Sequence, residues 1–221
     1  MVNDLLRGEL KFDSNMVDDQ VLLKSDGYPT YHLAVVVDDH LMQITHMIRG
    51  EEWISSAPKP ILIYEYFGWE KPIFVHTPLL RNPDKSKLSK RQGHTDVSWY
   101  QDNGYLAEAI INFLALLGWS HPQEKTIFSL SEFIKLFDLK DLSPAGPIVD
   151  LKKLDYFNGV YIRNTNDDQL AKLIQSVSSQ PFPQDSFQKM VPLIKERITK
   201  LTDAESLIDF FVKDIIYDKS L

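Results

Sequence analysis

Thr45-His46-Met47-Ile48-Arg49-Gly50-Glu51-Glu52 is a short apolar segment that runs directly into charge. It reads as a β-strand whose C-terminal end delivers an arginine and two carboxylates to a surface, the place where open α/β sheets bind ligands. Upstream, Leu33 to Val37 alone would suit a buried strand. Leu33, Val37, Leu41 and Ile44 nevertheless recur at helical spacing, and a helix over 31–44 is expected. Downstream, Ser55 or Ser56 offers an N-cap, and Pro58 and Pro60 fall in a first turn, where their missing N–H groups have no intrahelical partner. That helix should run to about Phe67 and stop at Gly68. Ile73-Phe74-Val75 makes the next strand.

Further out, residues 9–24 alternate weakly and end in Val21-Leu22-Leu23, which reads as a strand entering a buried sheet, and Asp26-Gly27-Tyr28-Pro29 turns the chain. Leu106, Ile110, Phe113, Leu114 and Leu117 hold one helical face between Gly104 and Gly118. Beyond about residue 120 the pattern is helical only. Ser129 and Glu132 form a capping box, Ser143-Pro144-Ala145-Gly146-Pro147 is a loop, and a helix from Asp150 to Phe157 should stop at Gly159. Amphipathic stretches follow at 167–177 and 186–215. A domain boundary near 120 is expected.

With 221 residues, 43% of them hydrophobic and 11% aromatic, the chain can bury one sizeable core or two modest ones. No run approaches the roughly 20 apolar residues of a membrane span, so no membrane partner is expected. The start of the sequence has no apolar signal core. The absence of cysteine excludes disulfides, thiolate metal sites and cysteine nucleophiles. A net charge of −7 and a pI of 5.3 argue against a general nucleic-acid coat. Against that background Arg81, Lys85, Lys87, Lys90 and Arg91 form a basic island broken only by Asp84. Its centre, Lys87-Leu88-Ser89-Lys90-Arg91, sets two ammonium groups and a hydroxyl where they can face one polyphosphate. Taken alone, five residues fit a solvated basic loop equally well.

The wider context moves that balance. The pentapeptide resembles the Lys-Met-Ser-Lys-Ser signature of class I aminoacyl-tRNA synthetases, in the form found in glutamyl-tRNA synthetases. Lys24-Ser25-Asp26-Gly27-Tyr28-Pro29-Thr30-Tyr31-His32-Leu33-Ala34, Val36-Val37-Asp38-Asp39-His40 and Ile48-Arg49-Gly50-Glu51-Glu52-Trp53 are similar to the bacterial-type members of that family. So are Asn112-Phe113-Leu114-Ala115-Leu116-Leu117-Gly118-Trp119 and Phe157-Asn158-Gly159-Val160-Tyr161-Ile162-Arg163. The resemblance covers residues 3 to about 165 in order.

The resemblance implies an α/β fold: the second half of a Rossmann-type catalytic domain over 1–120, then an all-helical region over 121–221 that contacts the tRNA stem and runs into the start of the anticodon-binding domain. It implies a cytoplasmic glutamate–tRNA ligase that activates glutamate with ATP and transfers it to tRNA. Mg2+ is expected with the nucleotide, without a dedicated protein metal site. Tyr31, Val35 and Arg49 match the positions that line the amino-acid pocket, where an arginine fork suits a carboxylate. Glu52 and Trp53 match positions bordering ATP. Lys87, Ser89 and Lys90 match the catalytic loop, Lys90 holding the phosphates as pyrophosphate leaves. Tyr161 and Arg163 match stem contacts. From the residues alone, a structural ion pair of Arg49 with Glu51 or Glu52 is the favoured reading.

Two departures qualify this. Val35 stands where the family has an asparagine that helps hold the amino acid, so weaker glutamate binding or a rearranged pocket is expected. The family's His-Ile-Gly-His motif does not occur, nor do the arginine and serine that grip glutamate from the first strand. Either a truncated chain or a split gene product whose N-terminal half is a separate partner is the corresponding expectation, and with it an isolated chain without activity. Two other readings compete. His32, Asp38, Asp39, His40 and His46 could form a metal-dependent phosphoesterase centre if helical spacing brings them to one face. The chain could also act only as a non-catalytic tRNA-binding module.

Overall fold

The computed structural model describes residues 1–13, 15, 17–89, 95–178, 182 and 184–212. It divides the chain into two compact units, Met1–Leu80 with Asp138–Pro147, and Arg81–Phe137 with Ile148–Leu221. Division by compactness thus falls at residue 80, ahead of the basic island.

The first unit is built on a four-stranded sheet of order β2-β1-β4-β3. Strand β1, Val2–Asp4, pairs antiparallel with β2, Gly8–Leu10, and parallel with β4, Ile73–Thr77. Strand β3, His46–Gly50, pairs parallel with β4 in the register His46 with Ile73, Met47 with Phe74 and Arg49 with His76. The parallel core and the helix between β3 and β4 make this the α/β arrangement expected. Helix α1, Tyr31–Leu41, resolves the ambiguous stretch as helix, with Val36 buried. Helix α2, Pro58–Phe67, ends at Gly68 in the left-handed region, φ 65°. Its N-cap, however, is Ala57, not a serine. Ser55 and Ser56 belong to a 3-10 turn, Glu51–Ser56, and the Ser56 hydroxyl donates to the Trp53 carbonyl. A core of Val2, Val36, Met47, Ile61, Ile63, Tyr64 and Phe74 fills the space between helices and sheet.

The strand expected at Val21-Leu22-Leu23 does not form. Val21 and Leu23 are 65% and 58% exposed, and only one isolated bridge, Leu23 to Pro29, marks the segment. The strands at this end of the sheet are β1 and β2. Apolar character identifies a segment that could be buried, but neighbouring strand edges decide whether it pairs.

The described elements of the second unit are helical: α3 Val97–Asp102, α4 Ala107–Ala115, α5 Leu130–Leu136, α6 Leu151–Asn164, α7 Asp167–Val177, α8 Gln184–Lys195 and α9 Asp203–Val212. Ser129 caps α5 by accepting from the Glu132 N–H, but Glu132 turns to Lys125 and His121 rather than back to the cap. Gly159 does not stop α6, which continues to Asn164. The buried Asn158 accepts from the Leu106 N–H and donates to the carbonyls of Gly104 and Thr199, and these tertiary bonds hold the helix across the glycine. The stretch 186–215 is two helices instead of one, because Asp203 accepts from the N–H groups of Thr199 and Lys200 and starts a new helix. Residues 213–215 lie outside the described residues.

Candidate active site

In the first unit the C-terminal end of β3 and the first turn of α1 converge. The Thr30 hydroxyl donates to the carbonyls of Val21 and Leu22 and fixes the chain where α1 begins, which places Tyr31 at its exposed start. The Thr77 hydroxyl donates to the Arg49 carbonyl and locks the end of β3 against β4. Arg49 Nη1 donates to the Tyr31 hydroxyl. Its guanidinium carbon lies 5.3 Å from the Tyr31 ring centroid and 5.2 Å from that of Trp53, and the two rings are 5.2 Å apart. Both contacts are within cation–π range. The guanidinium forms no ion pair among the described residues. Glu51 is committed elsewhere, receiving Arg7 Nη2 at 2.7 Å. Glu52 folds over Gly50, where an added Cβ would stand 2.2 Å from its carboxylate oxygen.

A small cleft of about 10 Å³ opens beside this group, lined among others by His32, Val35, Arg49, Trp53 and His76. Val35 is half-buried on the core, one helical turn after Tyr31. Burial, then the cations Lys59 and Arg49, push the His32 imidazole below its ordinary pKa, so it stays neutral near pH 7. Burial raises the Asp39 carboxyl, an effect Arg49 partly offsets.

The residues of the metal reading go to separate tasks. His40 stacks on Trp69 with centroids 3.9 Å apart, His46 Nδ1 meets the Thr45 hydroxyl at 2.9 Å, and His32 faces cations. Among the described residues no group of three His, Asp or Glu side chains comes together to hold a metal ion.

In the second unit, the basic island begins as a tight turn. Asn82 is buried and donates to the Ser86 hydroxyl and the Lys87 carbonyl, and Asp84 accepts from the Ser86 N–H and hydroxyl. Those bonds hold the Asp84 carboxyl below its usual range. The Val149 N–H donates to the Arg81 carbonyl and ties the turn to the segment before α6. Arg81, Lys85 and Lys87 are left exposed, as is Ser89. Lys90 and Arg91 lie outside the described residues. On α6, the Tyr161 hydroxyl donates to the Asn112 side-chain oxygen and the Phe128 carbonyl, while Arg163 lies half-buried over Gly159.

Sequence reasoning missed Asp4, Arg7 and His76. Asp4 Oδ2 meets His76 Nδ1 at 2.7 Å with both side chains buried, and Arg7 bridges Glu51 and the His76 carbonyl. Asp4 and His76 are 72 residues apart, and no local pattern joins them.

Against known proteins, residues 1–156 match the family described as tRNA synthetases class I (E and Q), catalytic domain. The chain is 51% identical over 215 residues to the glutamate–tRNA ligase of Saccharophagus degradans, covering 97% of this chain and 42% of that protein. It is 50% identical over 217 residues to the enzyme of Marinomonas sp., covering 98% and 43%. A crystal structure of a glutamate tRNA ligase from Elizabethkingia meningosepticum in complex with its amino acid superposes with a TM-score of 0.87 at 37% identity, over 99% of this chain and 48% of that one. The chain therefore spans less than half the length of the curated relatives it matches. With a family match over more than half of its residues, and a fold shared with a solved glutamate tRNA ligase, the chain belongs to the class I (E and Q) tRNA synthetases through their catalytic domain.

Proposed function

We propose that this chain forms part of a glutamate–tRNA ligase, in which ATP activates glutamate and the glutamyl group then passes to tRNA. The observation that carries the proposal is Arg49: a guanidinium oriented by the Tyr31 hydroxyl and the Tyr31 and Trp53 rings, beside a cleft and without an ion pair among the described residues. A planar fork in that state is suited to a carboxylate of the amino acid. In this reading Val35 lines the cleft, Tyr31 joins the pocket through its bond to Arg49, and Glu52 and Trp53 border the nucleotide. The Asn82–Ser86 turn supports the other half of the reading, since it presents Lys87 and Ser89 exposed, next in sequence to Lys90.

In the activation step, a glutamate carboxylate oxygen attacks the α-phosphorus of ATP and the bond to pyrophosphate breaks. Lys87 and Lys90 meet the charge that grows on the leaving phosphates, together with Mg2+ carried by the nucleotide. Arg49 holds the amino acid in line and is not consumed. We assign catalysis to the portion up to about residue 120 and stem contact to 121–221. There Arg163, half-buried over Gly159, and Tyr161, which shapes α6 through its internal bonds, are the residues assigned to the stem.

Titration of glutamate into a full-length protein containing this chain tests the pocket. Arg49→Ala should raise the glutamate Kd by about tenfold or more, as expected for losing a charge-assisted hydrogen-bonded pair of roughly 1.5–3 kcal/mol. Unchanged binding would remove Arg49 from the pocket. Lys90→Ala should instead depress glutamate-dependent ATP–pyrophosphate exchange about a hundredfold with little change in glutamate Kd, because it acts on charge present only during transfer. A variant altered only in glutamate affinity would contradict that role.

A further inference from the structure

Arg49 and His76 are register partners on β3 and β4, neighbours across parallel strands that lie about 4.8 Å apart. Their side chains therefore fall on the same face of the sheet, with Met47 and Phe74 two residues before them, and all four line the small cleft. His76 is 1% exposed. Its Nδ1 meets Asp4 Oδ2 at 2.7 Å, and Asp4 also accepts from the backbone N–H groups of Leu6, Arg7 and His76 at 2.9–3.0 Å. With the Asp4 carboxyl oxygens already accepting from three backbone N–H groups, Nδ1 is the donor of the side-chain pair. A second nitrogen, Nε2, is then left as a lone-pair acceptor. None of the described residues donates a hydrogen bond to it. The cleft volume of about 10 Å³ is close to the minimum for one water.

We propose that His76 is a positioning residue for Arg49: its Nε2 accepts a hydrogen bond from a single water in the cleft, and that water accepts one from the Arg49 guanidinium. The chain Arg49–water–His76–Asp4 fixes the plane of the arginine fork from beneath, as the Tyr31 hydroxyl fixes it from α1. Second-layer partners of this kind orient a ligand-binding group without touching the ligand. The pair also places the fork relative to β1, because Asp4 sits in that strand and Arg7 just after it spans the His76 carbonyl and Glu51. The inference rests on the assignment of Arg49 to the glutamate pocket.

The test compares His76→Phe with His76→Gln in the full-length protein. Phenylalanine keeps a planar ring but removes both the acceptor toward the cleft and the donor to Asp4. Glutamine restores a donor toward Asp4 and an acceptor toward the cleft. Expected results are a five- to tenfold rise in glutamate Kd and KM for His76→Phe, with kcat and the ATP KM close to wild type, and recovery of most of the glutamate affinity in His76→Gln. His76→Phe should unfold at a lower temperature than His76→Gln, because it leaves the buried Asp4 carboxylate without its side-chain donor. If His76→Phe binds glutamate as the parent does, or if both variants lose affinity, kcat and thermal stability together, the positioning role is overturned and the pair is only structural. If Arg49→Ala leaves glutamate binding intact, the pocket assignment itself has failed. If Arg49→Ala abolishes binding while His76→Phe leaves it unchanged, only the inference about His76 has failed.

Discussion

Single side chains in this protein are tuned by what buries them. Tyr64 is 1% exposed, and its hydroxyl is the buried side-chain polar atom that finds no hydrogen-bond partner among the described residues. Burial first, then the Asp39 carboxylate, push it up to about 12. A folded pKa above the unfolded value of 10 means that this tyrosine's contribution is fully present below pH 10 and is lost as pH rises from 10 towards 12. Tyr64→Phe removes no hydrogen bond, so it should be neutral or stabilising at pH 7. It should also flatten the alkaline loss of stability over pH 10–12. Urea unfolding at pH 7 and pH 11 checks both; an undiminished alkaline loss in the variant would assign it to other groups. Arg49 and Val35 show the limit of residue type as a guide. The sequence offers Glu51 or Glu52 as partners for Arg49, but Arg7 takes Glu51, and Glu52 turns onto Gly50. Val35 does line the small cleft with Arg49, so the apolar departure from the family pattern falls beside that guanidinium.

At the scale of elements, local signals set the helices whose ends are decided by the backbone itself. Gly68 ends α2 at φ 65°, and Asp96, Ser129, Asp150 and Asn166 each accept a backbone N–H at a helix start. Gly104, before α4, combines a left-handed φ of 77° with crowding: an added Cβ would lie 2.7 Å from the Thr202 nitrogen and 2.9 Å from that of Leu201. The Leu201 N–H also donates to the Gly104 carbonyl at 2.9 Å. Gly104→Ala should therefore cost more than about 2 kcal/mol, of which the left-handed backbone alone accounts for roughly 1–2. Chemical denaturation should show this as a lowered midpoint, and a loss under about 0.5 kcal/mol would mean that the 199–203 turn moves away freely. The same residue type carries the opposite message at Gly159. Its helical backbone and the bonds of Asn158 carry α6 onward, so a glycine that reads as a stop is instead a place where the Arg163 guanidinium lies close.

Across the whole molecule, each unit is held by residues that meet from distant parts of the chain. In the second unit, Asn158 is completely buried and links Leu106, Gly104 and Thr199, at separations of 52, 54 and 41 residues. Asn158→Ala leaves those backbone groups without that partner, at about 1–3 kcal/mol for each that stays unsatisfied. A total loss of about 3 kcal/mol or more is expected. Asn166→Ala, which removes only the α7 cap, should cost about 1 kcal/mol. Equal losses in equilibrium unfolding would show that water satisfies the vacated groups. In the first unit the Asp4–His76 pair plays the corresponding part, joining β1 to β4 across 72 residues. Helix α1, helix α2, strands β3 and β4, and α4 were legible because each carries its own periodicity, breaker or cap within a dozen residues. Tyr31 and Arg49 were picked out only through the resemblance of their motifs to a known family, and the basic loop by its run of cations. By itself the sequence determined the α/β alternation of 31–77, the helical character of the second half and the residue types available to the site, since these depend on spacing and composition that short segments contain. Only the tertiary structure decided that 21–23 stays out of the sheet, that α6 passes Gly159, that 186–215 breaks at 196–202, and that Arg49 stands beside a buried Asp4–His76 pair. Each of these turns on which distant donor, acceptor or strand edge arrives at the segment, and a one-dimensional pattern does not encode that arrival locally.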